Sequence, residues 1–280
     1  MKVAAIQMVS GSDVQANLDQ ARALLQTAAQ AGAELVVLPE YFCLMGQRDA
    51  DKLAIGEAFG SGPLQQFLSD SARSLGIWLV GGTVPLTCAP TADVADVALA
   101  APRVSNSSLV FSPDGECVAR YDKIHLFRFD NGQERYDESL VLKAGTEPVT
   151  FDLPARDGHR WRVGLSVCYD LRFPELYRAY ASAGAHLLLV PSAFTYTTGK
   201  DHWEVLLRAR AIENLSFVVA AAQGGLHDNQ RRTWGQAMLV DPWGQVLAQQ
   251  AQLAGVVLAD LDFEVLTACR SRLPALQHRV

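Results

Sequence analysis

A cysteine closes an apolar run and leads toward a helix in the stretch GLSVCYDLRFPE, which begins at Gly164. Val163, Leu165 and Val167 alternate with Gly164, Ser166 and Cys168, the period of two that marks a strand. Cys168 would then share its face with small residues that leave room for a substrate. Pro174 suits the first position of a helix. A thiol just ahead of a helix N-terminus feels the positive end of the macrodipole, which favours the thiolate that attacks electrophiles. Cys168 is therefore a candidate nucleophile. The competing reading is a buried structural cysteine, because free Cys is among the most buried residue types.

Two ionisable residues stand in comparable settings. Glu40 follows the apolar run Leu35-Val36-Val37-Leu38-Pro39, just past a buried strand, where sheet ends commonly host sites. Alone it reads equally as a solvated turn carboxylate. Lys123 stands in YDKIHLF between Tyr121 and the apolar pair Ile124 and Leu126, and alone it reads as an edge lysine that discourages strand pairing.

The elements that must position these residues alternate strand and helix in the first part of the chain. Val3 to Met8 reads as a strand, Asp13 as the cap of a helix carrying Leu18, Ala21, Leu25 and Ala28, and Leu35 to Leu38 as the next strand. Ser61, Gly62 and Pro63 start a second helix that runs to Gly76, followed by strand Ile77 to Val80. Asn106 to Phe111 and Glu116 to Tyr121 flank the turn Ser112-Pro113-Asp114-Gly115 and read as a hairpin. After Cys168 come a helix from Pro174 to Ala183, a short strand from His186 to Val190, and a helix capped by Asp201 with Glu204 three residues on. Phe217 to Ala222, Gln236 to Val240, Gln245 to Gln249 and Gly255 to Asp260 are late strands. Two sheets with helices outside are expected. The Ala-, Asp- and Pro-rich stretch from Thr87 to Pro102 reads as an excursion from the fold.

Composition narrows the function classes. With 280 residues, 49% hydrophobic and 19% charged, the chain can bury a large core. A formal charge of −6 and no clustered Lys and Arg argue against nucleic-acid binding and against an anionic membrane surface. No run approaches the roughly 20 apolar residues of a membrane span, and the start MKVAAIQM lacks the layout of a signal peptide, so a cytoplasmic protein is expected. Cys43, Cys88, Cys117, Cys168 and Cys269 are odd in number and never paired as C-x-x-C, which indicates neither disulfide framework nor zinc knuckle. The sequons at Asn106 and Asn214 then read as chance matches.

LPEYF around Glu40, YDKIHLF around Lys123 and VCYDLRFPELY around Cys168 resemble, in order and approximate spacing, the Glu-Lys-Cys triad of the nitrilase superfamily of carbon-nitrogen hydrolases. PSAFT at Pro191, HWEVLLRARAIEN at His202, AAAQGG at Ala220, DPWG at Asp241 and LPALQHR at Leu273 extend the resemblance over almost the whole chain. It implies a four-layer α-β-β-α sandwich, two mixed sheets flanked by helices, with residues 1–280 as one domain. It also implies a homodimer using the helices after Cys168 and after Asp201, with the tail from Arg270 onward on the partner.

In this chemistry Glu40 takes the thiol proton and later returns a proton to the leaving amine. Lys123, with the backbone N–H of Tyr169, stabilises the tetrahedral oxyanion. An amide would form a thioester on Cys168 that water then releases, with neither metal nor organic cofactor called for. Glu138 is the best match to a second glutamate of the resemblance; it would orient Lys123 or the substrate, or else be solvated at the surface. The amide expected is deaminated glutathione, cleaved to 2-oxoglutarate and Cys-Gly. Arg172 could pair with the carboxylate of such a substrate, or form a structural salt bridge with Glu175 or Asp170. Phe194 and Thr195 would line the pocket, core packing being the alternative for Phe194. An omega-amidase, a nitrilase or an N-carbamoyl amino acid hydrolase would use the same triad, and an idle binding protein could use the same fold. The long excursion at Thr87 to Pro102, the segment HLFRFDNG and Asp201 before HWE depart from the family pattern. A papain-like signature is absent, and the His202-Trp203-Glu204 match to zinc deaminases lacks its P-C-x-x-C.

Overall fold

Val3 and Ala5 face one way along the first strand and Ala4, Ile6 and Met8 the other, and the two sets end in different cores. Ala4, Ile6 and Met8 pack with Val36 and Leu79 against Leu18, Ala21 and Leu25 of the helix Val14–Gln30 and against Leu64, Phe67 and Leu68 of the helix Pro63–Leu75. Val3, Ala5, Leu35 and Val37 instead join Leu165, Leu187, Leu189 and Val218 of a second sheet. Leu176, Tyr177 and Tyr180 of the helix Pro174–Ser182 and Trp203, Leu207 and Ala211 of the helix Tyr196–Asn214 pack into that same core from outside. The layers are thus helices, sheet, sheet, helices, the expected four-layer sandwich. Strands covered on both faces are apolar at successive positions, which is why Leu35–Val37 and Leu187–Leu189 show no alternation.

The computed structural model describes residues 1–88 and 102–278. Its first sheet has nine strands. The order runs Arg232–Trp234, Ala222–Leu226, Lys2–Met8, Leu35–Val37, Trp78–Val80, Val104–Phe111, Val84–Thr87, with Gly255–Asp260 also pairing to Lys2–Met8 and Cys117–Asp122 to Val104–Phe111. The six-stranded second sheet runs Val246–Gln250, Ala237–Val240, Phe217–Ala220, Leu187–Leu189, Arg160–Leu165, Thr150–Pro154. Both sheets are mixed: Lys2–Met8, Leu35–Val37 and Trp78–Val80 run parallel, as do Arg160–Leu165, Leu187–Leu189 and Phe217–Ala220. The carboxyl ends of these parallel strands carry the loops that build the site.

Several expectations hold locally. Asp13 caps its helix by accepting from the Ala16 N–H at 3.0 Å, Pro63 starts the next helix, and Gly76 ends it in the left-handed conformation. Three need correction. The helix expected to be capped by Asp201 starts at Tyr196 behind Thr195. Thr197, Thr198 and Gly199 are weak helix formers that hid its first turn; a Cβ on Gly199 would lie 2.3 Å from Trp234 Cβ, so packing keeps the glycine there. The expected strand from Phe217 to Ala222 is two strands. The chain leaves the second sheet after Ala220 and enters the first at Ala222, a crossing invisible in a uniformly apolar run. Arg270, expected to begin a tail on a partner, donates to the Leu215 and Ala185 carbonyls of its own chain at 2.9 and 2.5 Å. The expected excursion at 87–102 falls, from 89 to 101, outside the described residues. No helix among the described residues is long and apolar enough to cross a membrane.

His186, ahead of Leu187–Leu189, has its Nδ1 bonded by the Arg162 backbone N–H at 3.0 Å and its ring set edge-on to Trp161 and Phe263. Burial, then the Arg270 and Arg162 cations, pull its pKa down to about 4. The unfolded chain, with a histidine pKa of about 6.5, binds the proton first, so stability falls as pH drops from about 6.5 toward about 4. The variant His186→Asn, which keeps an acceptor for the Arg162 N–H, is expected to lose less over that window. Its urea-unfolding profile should diverge from wild type by about 1 kcal/mol after allowance for solvent screening; parallel profiles would refute the assignment.

Candidate active site

Cys168 stands three residues past the end of the strand Arg160–Leu165, at the start of a short 3-10 turn, Cys168–Arg172. Its φ of +52° is rare for a non-glycine residue and marks a strained position. The turn is held by the Cys168 N–H on the Pro191 carbonyl at 3.0 Å and the Val167 N–H on Asp170 Oδ2 at 2.8 Å. Two expectations fail here. The α-helix does start at Pro174, as expected, but six residues past Cys168 and beyond the 3-10 turn, so Cys168 is not at its N-terminus. The small residues before Cys168 do not open a pocket either. A Cβ on Gly164 would lie 2.7 Å from the Tyr180 ring, and the Ser166 hydroxyl pairs with that of Tyr177 at 2.7 Å, so helix tyrosines fill that face.

Glu40, Lys123 and Cys168 are all buried. Lys123 Nζ donates to Glu40 Oε1 at 3.0 Å and to Glu138 Oε1 and Oε2 at 3.0 and 2.8 Å. Glu138 is therefore not a solvated surface residue; it binds the lysine, and it also accepts from the Tyr41 hydroxyl at 2.8 Å and the Phe127 N–H at 2.7 Å. The hairpin Arg128–Asp130 with Arg135–Asp137 carries it there. Glu40 is completed by the Asn106 amide at 2.8 Å and the Ala193 N–H at 2.9 Å. Asn106, dismissed in sequence as half of a chance sequon, is thus a buried support of the site.

Asp170 ties the cysteine turn to the lysine loop. Besides the Val167 N–H, it accepts from the Tyr121 hydroxyl at 2.7 Å and the His125 N–H at 3.0 Å, two residues on either side of Lys123. Its Oδ1 lies 2.7 Å from His125 Nδ1, whose ring stacks on Phe173 with centroids 3.6 Å apart. Neither Asp170 nor His125 carries a sequence signal for this, because the contact joins segments far apart in the chain.

The electrostatics reverse one expectation. Burial first, and then the Glu40 and Glu138 charges, raise the Cys168 pKa well above the ordinary thiol value despite the nearby Lys123. The raised pKa favours the neutral thiol at rest, so any reaction through this sulfur needs a base to take its proton. Lys123 is held charged: burial opposes the ammonium, but the carboxylates of Glu138 and then Glu40 outweigh it. Glu138 is likewise held ionised, Lys123 and its hydrogen-bond donors overcoming its burial.

Glu40, Glu138, Cys168, Tyr169, Arg172, Phe194 and Thr195 line one pocket of about 10 Å³, the space of about one water. Lys123 lies behind them, fully buried. Phe194 does both jobs considered for it, lining the pocket while packing on Trp203 with centroids 5.0 Å apart. Arg172 forms no ion pair with Glu175 or Asp170 among the described residues; its Nη1 lies 3.2 Å from His202 Nδ1 and its guanidinium 5.2 Å from the Phe194 ring centroid. Sequence reading missed Phe127, Ala193, Thr198 and Arg231, which share the pocket. No group of three His, Cys, Asp or Glu side chains that could hold a metal occurs among the described residues. A thiol beside a carboxylate and an ammonium can carry out acyl transfer, with base, nucleophile and charge stabiliser in contact.

This fold and site are those of a hydrolase, and the chain belongs to the carbon-nitrogen hydrolase family, whose profile matches residues 2–271. It is 38% identical over 99% of its length to a deaminated glutathione amidase of Synechocystis sp., covering 97% of that protein. It is 35% identical over 99% of its length to a human omega-amidase, covering 94% of it. A crystal structure from Saccharomyces cerevisiae, described as a member of branch 10 of the nitrilase superfamily, superposes with a TM-score of 0.82 at 31% identity, covering 98% of this chain and 94% of that one. The chain is accordingly an enzyme acting on non-peptide carbon-nitrogen bonds.

Removing the Asp170 carboxylate leaves the Val167 and His125 N–H groups and the Tyr121 hydroxyl without their acceptor. Asp170→Ala is expected to lower stability by about 3 kcal/mol or more in urea unfolding. A loss under about 1 kcal/mol would show that these groups find other partners.

Proposed function

We propose that the enzyme is a cysteine amidase whose preferred substrate is deaminated glutathione, with Cys168 as nucleophile, Glu40 as general base and acid, and Lys123 as the oxyanion's cation. The observation that carries this reading is the contact of Lys123 with both Glu40 and Glu138, whose carboxylates line a small pocket together with the Cys168 thiol. The Cys168 sulfur adds to the amide carbonyl carbon while its proton passes to Glu40; Lys123 and the Tyr169 N–H receive the developing oxyanion. Collapse breaks the C–N bond, the proton moves from Glu40 to the nitrogen, and the amine departs as Cys-Gly. Water then attacks the thioester, giving its proton to Glu40; 2-oxoglutarate leaves, and the thiol regains its proton. Glu138 positions Lys123 throughout.

An anionic substrate suits the local charge. Lys123, Arg172 and Arg231 set three cations against the carboxylates of Glu40 and Glu138 while the thiol is neutral. Arg172, free of any carboxylate partner among the described residues, is available to the 2-oxoglutaryl carboxylate; Phe194 and Thr195 shape the space around it. The relative named for deaminated glutathione supports this substrate, and 2-oxoglutaramate is the rival, as the substrate of an omega-amidase. The 280 residues are proposed to act as one cytoplasmic domain and to pair as a homodimer through Pro174–Ser182 and Tyr196–Asn214. Val205 and Ile212, exposed on the second of these helices, support that surface, and a stable monomer in gel filtration would refute it.

Turnover of deaminated glutathione, 2-oxoglutaramate, a simple nitrile and an N-carbamoyl amino acid should favour the first. Cys168→Ala should abolish it, by at least ~10³-fold in kcat; full turnover by that variant would overturn the mechanism. Glu138→Gln, which keeps the shape and loses the charge, is expected to lower kcat by ~10²-fold with KM nearly unchanged. An effect confined to KM would instead make Glu138 a substrate-binding residue.

A further inference from the structure

Arg231 is the residue common to two spaces. It lines the pocket of about 10 Å³ around Cys168, and it also lines an outer cleft of about 500 Å³ bordered by Gln47, Arg48, Asn229 and Arg232. The inner pocket has the volume of about one water, so an amide of dipeptide size must reach beyond it, and the cleft is the larger space that shares Arg231 with it.

The guanidinium is poorly used by the protein itself. Its Nη2 reaches only the Ala193 carbonyl at 3.4 Å, its Nη1 lies 4.0 Å from Met45 Sδ, and its Nε is buried with no hydrogen-bond partner. It rests 5.0 Å from the Tyr136 ring centroid and forms no ion pair with a carboxylate among the described residues. The neighbouring acids are engaged elsewhere: Asp49 with Lys52 at 2.9 Å and Glu134 with the Thr197 hydroxyl at 2.7 Å. An arginine carries five N–H donors in a planar fork that matches a carboxylate.

The loop that presents Arg231 is pinned. Its N–H donates to Asn229 Oδ1 at 2.9 Å, and the Asn229 amide donates to the Gly46 carbonyl at 2.6 Å. The His227 ring lies 2.7 Å from both the Ser10 carbonyl and Thr233 Oγ1. The side chain is thereby placed before substrate arrives, which lowers the cost of ordering it on binding. Arg172 lines the inner pocket and not the cleft, so the two free cations serve different regions.

We propose that Arg231 binds a free carboxylate on the amine side of the scissile amide, making the preferred leaving group a carboxylate-terminated amine of dipeptide size rather than ammonia. This rests on the amidase reading above and assigns the residue that separates its two candidate substrates. In the deaminated glutathione case the group held is the glycine carboxylate.

The test measures wild type, Arg231→Met and Arg231→Lys on deaminated glutathione, on its C-terminal carboxamide and on 2-oxoglutaramate. Arg231→Met should lower kcat/KM on deaminated glutathione by ~30-fold, mostly through KM, and at least ~5-fold less than that on 2-oxoglutaramate, with an unchanged urea-unfolding midpoint verifying that the variant is folded. Arg231→Lys should recover part of the loss, and wild type should treat the carboxamide as poorly as Arg231→Met does. Equal losses on all three amides, or none on any, would overturn the proposal, as would a wild type that accepts carboxamide and carboxylate alike. A wild type that prefers 2-oxoglutaramate overturns it while leaving the amidase reading in place. Turnover of no amide at all overturns the amidase reading, and this inference with it.

Discussion

A lysine ammonium with no exposed surface is the constraint on which the rest of the site depends. Burying such an ion costs several kcal/mol unless its charge and its donors are met, and Lys123 meets them with Glu40 and Glu138. Two carboxylates on one ammonium leave a negative charge over, which must be supported in turn. Each carboxylate oxygen accordingly has a donor: Lys123 and Asn106 on Glu40 Oε1, the Ala193 N–H on Oε2, Tyr41 and Lys123 on Glu138 Oε1, and Phe127 N–H and Lys123 on Oε2. Burial first, and then this surplus negative charge, keeps Cys168 protonated next to a lysine. The site therefore rests uncharged at sulfur.

That arrangement requires both sheets. Asn106 and Lys123 come from adjacent strands of the first sheet or their ends, and Glu40 follows another of its strands. Cys168 and Ala193 follow strands of the second. The cluster therefore bridges the two sheets at their loop ends, and Asp170 adds a second bridge by joining the cysteine turn to Tyr121 and His125. Close backbone approach is part of the cost. Gly82 has φ +51°, and a Cβ there would lie 2.0 Å from the Pro39 carbonyl oxygen, so no other residue fits under the loop that turns Glu40 inward.

Short motifs made the chemistry readable before the fold was known. An acid, an amine and a thiol each stood beside an apolar strand, and the resemblance of their three motifs, in order, to the nitrilase superfamily is what indicated acyl transfer. Residues whose roles arise from contact alone stayed hidden. Asn106 looked like a sequon, Asp170 like a rival partner for Arg172, and Arg231 belonged to no motif. The helix start at Tyr196 was masked by threonines and a glycine that Trp234 requires, and the sheet change at Ala221 by unbroken apolar sequence. In each case a tertiary contact overrode the local signal.

The sequence by itself determined the strand and helix segments of the core and the identity of the triad candidates, because periodicity and residue type are local properties. Only the tertiary structure decided the protonation state of Cys168, the burial of Glu138 against Lys123 and the position of Arg231 between pocket and cleft. Those depend on desolvation and on distances between groups far apart in the chain, and no local pattern records either.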